Sequence, residues 1–134
     1  MPALSFGATL ASFKAEQVSA GSGCSGGNVS PALQWSAAPA GTKSFAVTMF
    51  DPDADIGRGW WHWILYDIPA NVSGLAKGAG DPEHRLAPEG SLQTATDSGN
   101  PGYGGPCPPQ GDGEHRYVFK VYALDVEKLP AKQV

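Results

Sequence analysis

Residues 44–68, SFAVTMFDPDADIGRGWWHWILYDI, decide how this chain reads. They form an apolar strand, an acidic turn punctuated by Gly and Pro, and a second strand entered through three tryptophans and a histidine. In Ser44–Asp51 the larger side chains Phe45, Val47 and Met49 alternate with Ser44, Ala46 and Thr48. That period of two is the signature of a half-buried strand. Asp51 continues the Phe45–Val47–Met49 register, which puts it at the strand's end on the core-facing side. Beyond the turn, Trp60 and His62 are two residues apart and share a face. Polar groups delivered to strand ends beside large aromatics describe the rim of a pocket.

Upstream, Ser30-Pro31 leads into a short strand, Ala32–Trp35, and Ala38–Thr42 has turn chemistry. Leu4–Phe13 alternates weakly and is expected to be an edge strand, joined by a Gly/Ser-rich loop over Lys14–Val29. Downstream, Pro69 closes the second core strand, because proline removes a ladder donor. From Ala70 to Gly113 glycine and proline are too frequent for long regular elements. Asp81-Pro82-Glu83 is expected to cap a single helical turn, with Asp at the N-cap and Pro at the first helical position. Asn100–Gly113, NPGYGGPCPPQGDG, holds five glycines and four prolines. A loop of that length inside a compact domain points to function. It runs into HRYVFKVYALD, where His115, Tyr117, Phe119, Val121 and Ala123 share one face. Three strands and no helical period of comparable strength predict an all-β fold, a sandwich of two antiparallel sheets.

The chain has 134 residues, one domain's worth, enough to bury a core without disulfide staples. Its 41% hydrophobic and 16% charged content exclude wholesale disorder. The 18 glycines and 12 prolines fit many turns between short strands. A net charge of -4 argues against nucleic acid or an anionic membrane surface as the main partner. No apolar run of ~18 residues spans a bilayer, and no secretory signal is visible, so cytoplasmic residence is expected. There are two cysteines, Cys24 and Cys107, in Gly-rich loops and outside any CxxC. Two reduced thiols are the expectation in a reducing compartment; a disulfide joining two pocket loops is the alternative.

Three strand ends carry polar side chains two residues apart: Asp51 and Asp53, Trp60 and His62, His115 and Tyr117. Each pair has an ordinary explanation. Asp51-Pro52-Asp53 suits an Asx-type turn, His62 suits a satisfied interior histidine, and His115 a solvated strand start. Trp35, Trp61 and Trp63 read as core or sheet-packing residues, and His84 as exposed. Two carboxylates, two imidazoles and a phenol are nevertheless many polar groups for a small core to absorb.

The combination DPDA and WWHW, followed by GYGGPCPPQGDGEHRY, resembles the phosphatidylethanolamine-binding protein family, also called Raf-kinase-inhibitor-like proteins, and its bacterial branch in particular. NVSPALQW and GTKSFAVTMFDPDA match that branch too, so the similarity runs from about Cys24 to about Asp125. The resemblance implies a Greek-key β-sandwich with a small anion-accepting pocket at one end. Carried across residue by residue, the pocket is lined by Asp51, Asp53, Trp60, His62, Pro109, His115 and Tyr117, with Tyr103 and Pro108 on the loop side. Arg116 points to the opposite face of its strand. Two features depart from the family pattern. Asp55 stands where the family writes proline after DPDA. The chain also stops at VEKLPAKQV, where the family continues through a helix and a final strand. That segment helps cover the pocket or a dimer surface, so a more open pocket or a truncated chain is expected, and a homodimer stays among the partner options.

In such a pocket an anion needs positive charge or N–H donors, because Asp51 and Asp53 repel it. His62 and His115 when protonated, and the Gly102–Gly113 amides, can supply them. Neighbouring carboxylates favour the imidazolium form. Tyr117 can donate its hydroxyl, while Trp60 and Pro109 form apolar walls. The expectation is reversible binding of phosphate, a phosphorylated headgroup or a carboxylate, with no cofactor. Two rivals come from other classes. An interaction protein regulating a kinase or protease is suggested by the family's second name. A metal- or acid/base-dependent hydrolase would use the Asp and His groups, but no HExxH spacing or nucleophile elbow accompanies them. Cys107 is the least weak nucleophile.

Overall fold

The computed structural model describes residues 2–10, 17, 19, 26–35, 38–53, 59–83, 86–107 and 117–129. Seven strands follow in order: β1 (Pro2–Leu10), β2 (Leu33–Gln34), β3 (Ser44–Asp51), β4 (Trp60–Pro69), β5 (Gly74–Leu75), β6 (Leu92–Gln93) and β7 (Tyr117–Leu124). Five of them form one antiparallel sheet in the order β1-β7-β3-β4-β6, and β2 and β5 form an antiparallel ribbon. The protein is all-β, as expected. Among the described residues no helix is long and apolar enough to cross a membrane.

The core lies between sheet and ribbon. Phe45, Val47 and Met49 of β3 meet Trp63, Leu65 and Ile68 of β4 and Phe119, Val121 and Ala123 of β7, with Leu75 closing from the ribbon. Leu33 and Trp35 pack against this cluster, Trp35 with its ring centroid 5.4 Å from that of Phe45. Trp63 is fully buried and satisfies its indole N–H on Gln93 Oε1 at 2.7 Å. Removing such a side chain costs about 3–5 kcal/mol. The half-buried expectation for β3 holds only towards its end. Ser44 to Val47 are buried on both faces, because Ala46 packs with Tyr66 and Leu124 under Val126 and Leu129. The chain after β7 is anchored there by Leu129 N–H on Asp67 Oδ1 at 2.8 Å.

Two irregularities in the β3–β4 ladder shape the sheet. Phe45 pairs with Ile68 but Val47 with Leu65, leaving one extra residue on β4, where Asp67 adopts a left-handed φ of 58°. Met49 pairs with Trp63 but Phe50 with Trp61, so His62 is the extra residue of a second bulge. The consequence is a change of face. Trp63 lies in the core, whereas Trp61 meets Phe50 at a tilt of 43°, ring centroids 4.3 Å apart, and is 37% exposed.

At Asp81-Pro82-Glu83 the described residues form a turn, and residues 84 and 85, over which the expected helical turn would continue, lie outside the described residues. Asp81 Oδ1 accepts the Glu83 amide at 2.8 Å, the bond expected of an aspartate at the N-cap. The weak segment near the N-terminus is a longer strand than expected at its start, pairing along β7 from Pro2↔Leu124 to Leu10↔Tyr117.

Candidate functional site

Asp51 ends β3 opposite Trp60, the first residue of β4. It is 2% exposed, and its Oδ1 accepts the Asp53 amide at 2.8 Å. The Asx turn foreseen for this segment therefore exists, and it buries the carboxylate at the strand end. Trp60 is 36% exposed at the rim. His62, set out of the β3 ladder by its bulge, meets Tyr117 at the start of β7 edge-on, with ring centroids 5.7 Å apart. Burial, then the charges of Asp51 and Asp53, push the Tyr117 hydroxyl up to about 12. The ends of three strands thus bring carboxylates, an imidazole and a protonated phenol within electrostatic reach of one another.

The loop 103–107 forms the fourth side. Gly104 exchanges two bonds with His62: its amide donates to the His62 carbonyl at 2.9 Å, and its own carbonyl lies 2.8 Å from His62 Nδ1. A carbonyl only accepts, so Nδ1 carries the hydrogen in the neutral ring. Tyr103 is 5% exposed, stands edge-on to Trp63 and donates its hydroxyl to the Gln17 carbonyl at 2.8 Å. Burial and the neighbouring Tyr117 raise its pKa. Tyr103 is therefore a prop of the loop, with its hydroxyl already engaged.

Of the other residues singled out in the sequence, Cys24, Asp55, His84, Pro108, Pro109, His115 and Arg116 lie outside the described residues. The reduced thiol expected at Cys107 is not observed: Cys107 is disulfide-bonded. The chain holds one other cysteine, Cys24. Among the described residues no three His, Cys, Asp or Glu side chains gather closely enough to hold a metal ion.

Several residues that shape the site carry no local signal of it. Asn28 grips the loop, its Nδ2 donating to the Tyr103 carbonyl at 3.2 Å and its Oδ1 accepting the Gly105 amide at 2.7 Å. Ser30 Oγ accepts the Gly80 amide at 2.8 Å, and the Gly80 carbonyl accepts the Tyr103 amide at 2.8 Å. Asp97 Oδ2 accepts the Trp61 amide at 2.8 Å and steadies the start of β4. Asn and Ser in a Gly/Ser-rich loop are ordinary loop residues until their partners, more than fifty positions away in Asn28's case, are known.

Fold and site together define a class: all-β sandwich proteins that gather acidic, imidazole and phenol side chains at one end of their strands. Comparison with known proteins narrows the class to one family. The family model described as phosphatidylethanolamine-binding protein matches residues 7–134, and the chain belongs to that family. It is 54% identical over 113 residues to the UPF0098 protein YbcL of Escherichia coli, covering 84% of this chain and 62% of that protein. It is 50% identical over 109 residues to YbhB of the same organism, covering 81% and 68%. The crystal structure of E. coli YbcL, described as a new member of the mammalian PEBP family, superposes with a TM-score of 0.86 at 46% identity. That match covers 92% of this chain and 80% of the solved one. The chain thus spans about three-fifths to two-thirds of the length of these two curated relatives.

Proposed function

We propose that this protein reversibly binds a small anion, such as phosphate, a phosphorylated headgroup or a carboxylate, at the strand ends around His62. The observation that carries the reading is the engagement of His62 Nδ1 by the Gly104 carbonyl. It orients Nε2 as the group that donates to an anion once the imidazole is protonated. Tyr117 beside it keeps its proton throughout the neutral range and can donate as well. Asp51 and Asp53 repel an anion; their part is to hold the turn, which Asp51 does through the Asp53 amide. His115 and Pro109, which the family resemblance assigns to the same pocket, complete the set, with Trp60 as the apolar wall. Titrating inorganic phosphate from about pH 8 to pH 5, across the ordinary imidazole range, tests the charge account. Affinity should rise as the pH falls and should be lost in His62→Ala. Affinity that is flat or falls towards acid pH would overturn it.

The bonded state of Cys107 favours a compartment in which thiols are oxidised, in place of the cytoplasm. A relative from Mycobacterium tuberculosis, 42% identical over 103 residues, is described as a putative lipoprotein, which agrees with that location. Alkylation of thiols in freshly lysed cells tests it, since a cysteine that labels without reductant would place the protein among reduced ones.

A further inference from the structure

We propose that Asn28 is a positioning residue for the binding site, acting through Gly104 to hold the His62 ring and its tautomer. The proposal rests on the site reading above and adds a residue from a segment that reading does not use. Asn28 adopts a left-handed φ of 56°, a conformation open at low cost mainly to Gly, Asn and Asp. In that conformation its amide bridges two backbone groups, donating to the Tyr103 carbonyl and accepting from the Gly105 amide. These two groups flank Gly104 on either side. Gly104 in turn both accepts from His62 Nδ1 and donates to the His62 carbonyl. One side chain thus grips the peptide units on either side of the residue that sets the histidine.

The geometry separates this role from general support of the core. Asn28 is itself exposed to solvent, so shortening it leaves no cavity. Tyr103 and Gly105 are buried, and the loop keeps its other ties, Tyr103 to Gly80 and to Gln17. Without Asn28 the loop stays near its place but loses the clamp that holds the Gly104 carbonyl in line with Nδ1. A histidine without that fixed acceptor divides between its two neutral tautomers. The protonated ring loses the same acceptor, which fixes its plane, so its Nε2–H is aimed at an anion only part of the time.

The test uses Asn28→Gly, which keeps the left-handed backbone and removes both side-chain bonds, with Asn28→Asp as the second variant. Asp retains an acceptor for the Gly105 amide but sets an oxygen against the Tyr103 carbonyl. The first readout is the nitrogen NMR signature of the His62 ring, which reports tautomer without any ligand. The second is inorganic phosphate affinity. The wild-type ring should be predominantly protonated at Nδ1 when neutral. Asn28→Gly should lose that preference and weaken phosphate about three- to tenfold, the loss of one to two ordinary hydrogen bonds' worth of ordering. Asn28→Asp should fall between the two. An unchanged His62 signature in Asn28→Gly, or in Asn28→Asp should the glycine variant fail to fold, overturns the proposal. Failure of the wild-type protein to bind phosphate sinks the anion reading and leaves the tautomer result to decide this one.

Discussion

Replacing Asp51 by asparagine separates two effects that one carboxylate exerts in opposite directions. The side chain is 2% exposed and accepts the Asp53 amide at 2.8 Å. Asparagine keeps the volume and the acceptor oxygen but removes the charge. A hydrogen bond to a charged group is worth about 1.5–3 kcal/mol and a neutral one about 0.5–1.5. The folded state should therefore lose about 1 kcal/mol, a fall of roughly 4 °C in Tm for a domain of this size. Anion binding should move the other way. A unit charge ~7 Å from a bound anion repels it by about 2 kcal/mol at an effective dielectric of 20, and by about 0.6 in bulk water. Asp51→Asn should then tighten phosphate by about three- to thirtyfold while lowering Tm. The Tyr117 hydroxyl, which the Asp51 charge helps to push up, should ionise at lower pH than in the wild type. Thermal unfolding by circular dichroism, phosphate calorimetry at mildly acid pH and an alkaline absorbance titration read the three effects. A variant that binds phosphate more weakly, at any stability, would refute the view that Asp51 holds the turn and repels the ligand.

Two further predictions concern stability. Because the folded state holds the Tyr117 proton to about pH 12 against an ordinary 10.0, it binds that proton more tightly than the unfolded chain. Its contribution should be fully present below about pH 10 and be lost as the pH rises through about 12. Denaturant midpoints should fall across that window, and less steeply in Tyr117→Phe; equal slopes would remove Tyr117 as the cause. At Gly80 an added Cβ would sit 2.4 Å from Tyr103 Cβ and 3.1 Å from both Ser30 Oγ and Trp63 Cε2. Gly80→Ala should cost about 1–3 kcal/mol by overpacking, read as a lower denaturant midpoint; an unshifted midpoint would contradict so close an approach.

What could be read from the chain alone was whatever depends on neighbours in sequence. The strands at Ser44–Asp51 and Tyr117–Leu124, the alternation of the second and of the end of the first, the proline closing β4 and the Asx turn at Asp51–Asp53 appear where expected, because strand periodicity and turn chemistry are local. The family motifs likewise sufficed for membership and for the all-β architecture. The tertiary structure alone decided how His62 is presented. Its place outside the β3 ladder follows from a bulge that no pattern in WWHW announces, since a bulge is a mismatch between two strands. Its tautomer follows from a carbonyl 42 residues away, and the grip on that carbonyl's loop comes from Asn28, 75 and 77 positions from its two partners. The bond at Cys107 shares that origin. Each depends on which backbone groups folding brings within about 3 Å of a side chain, and a linear sequence does not state that distance.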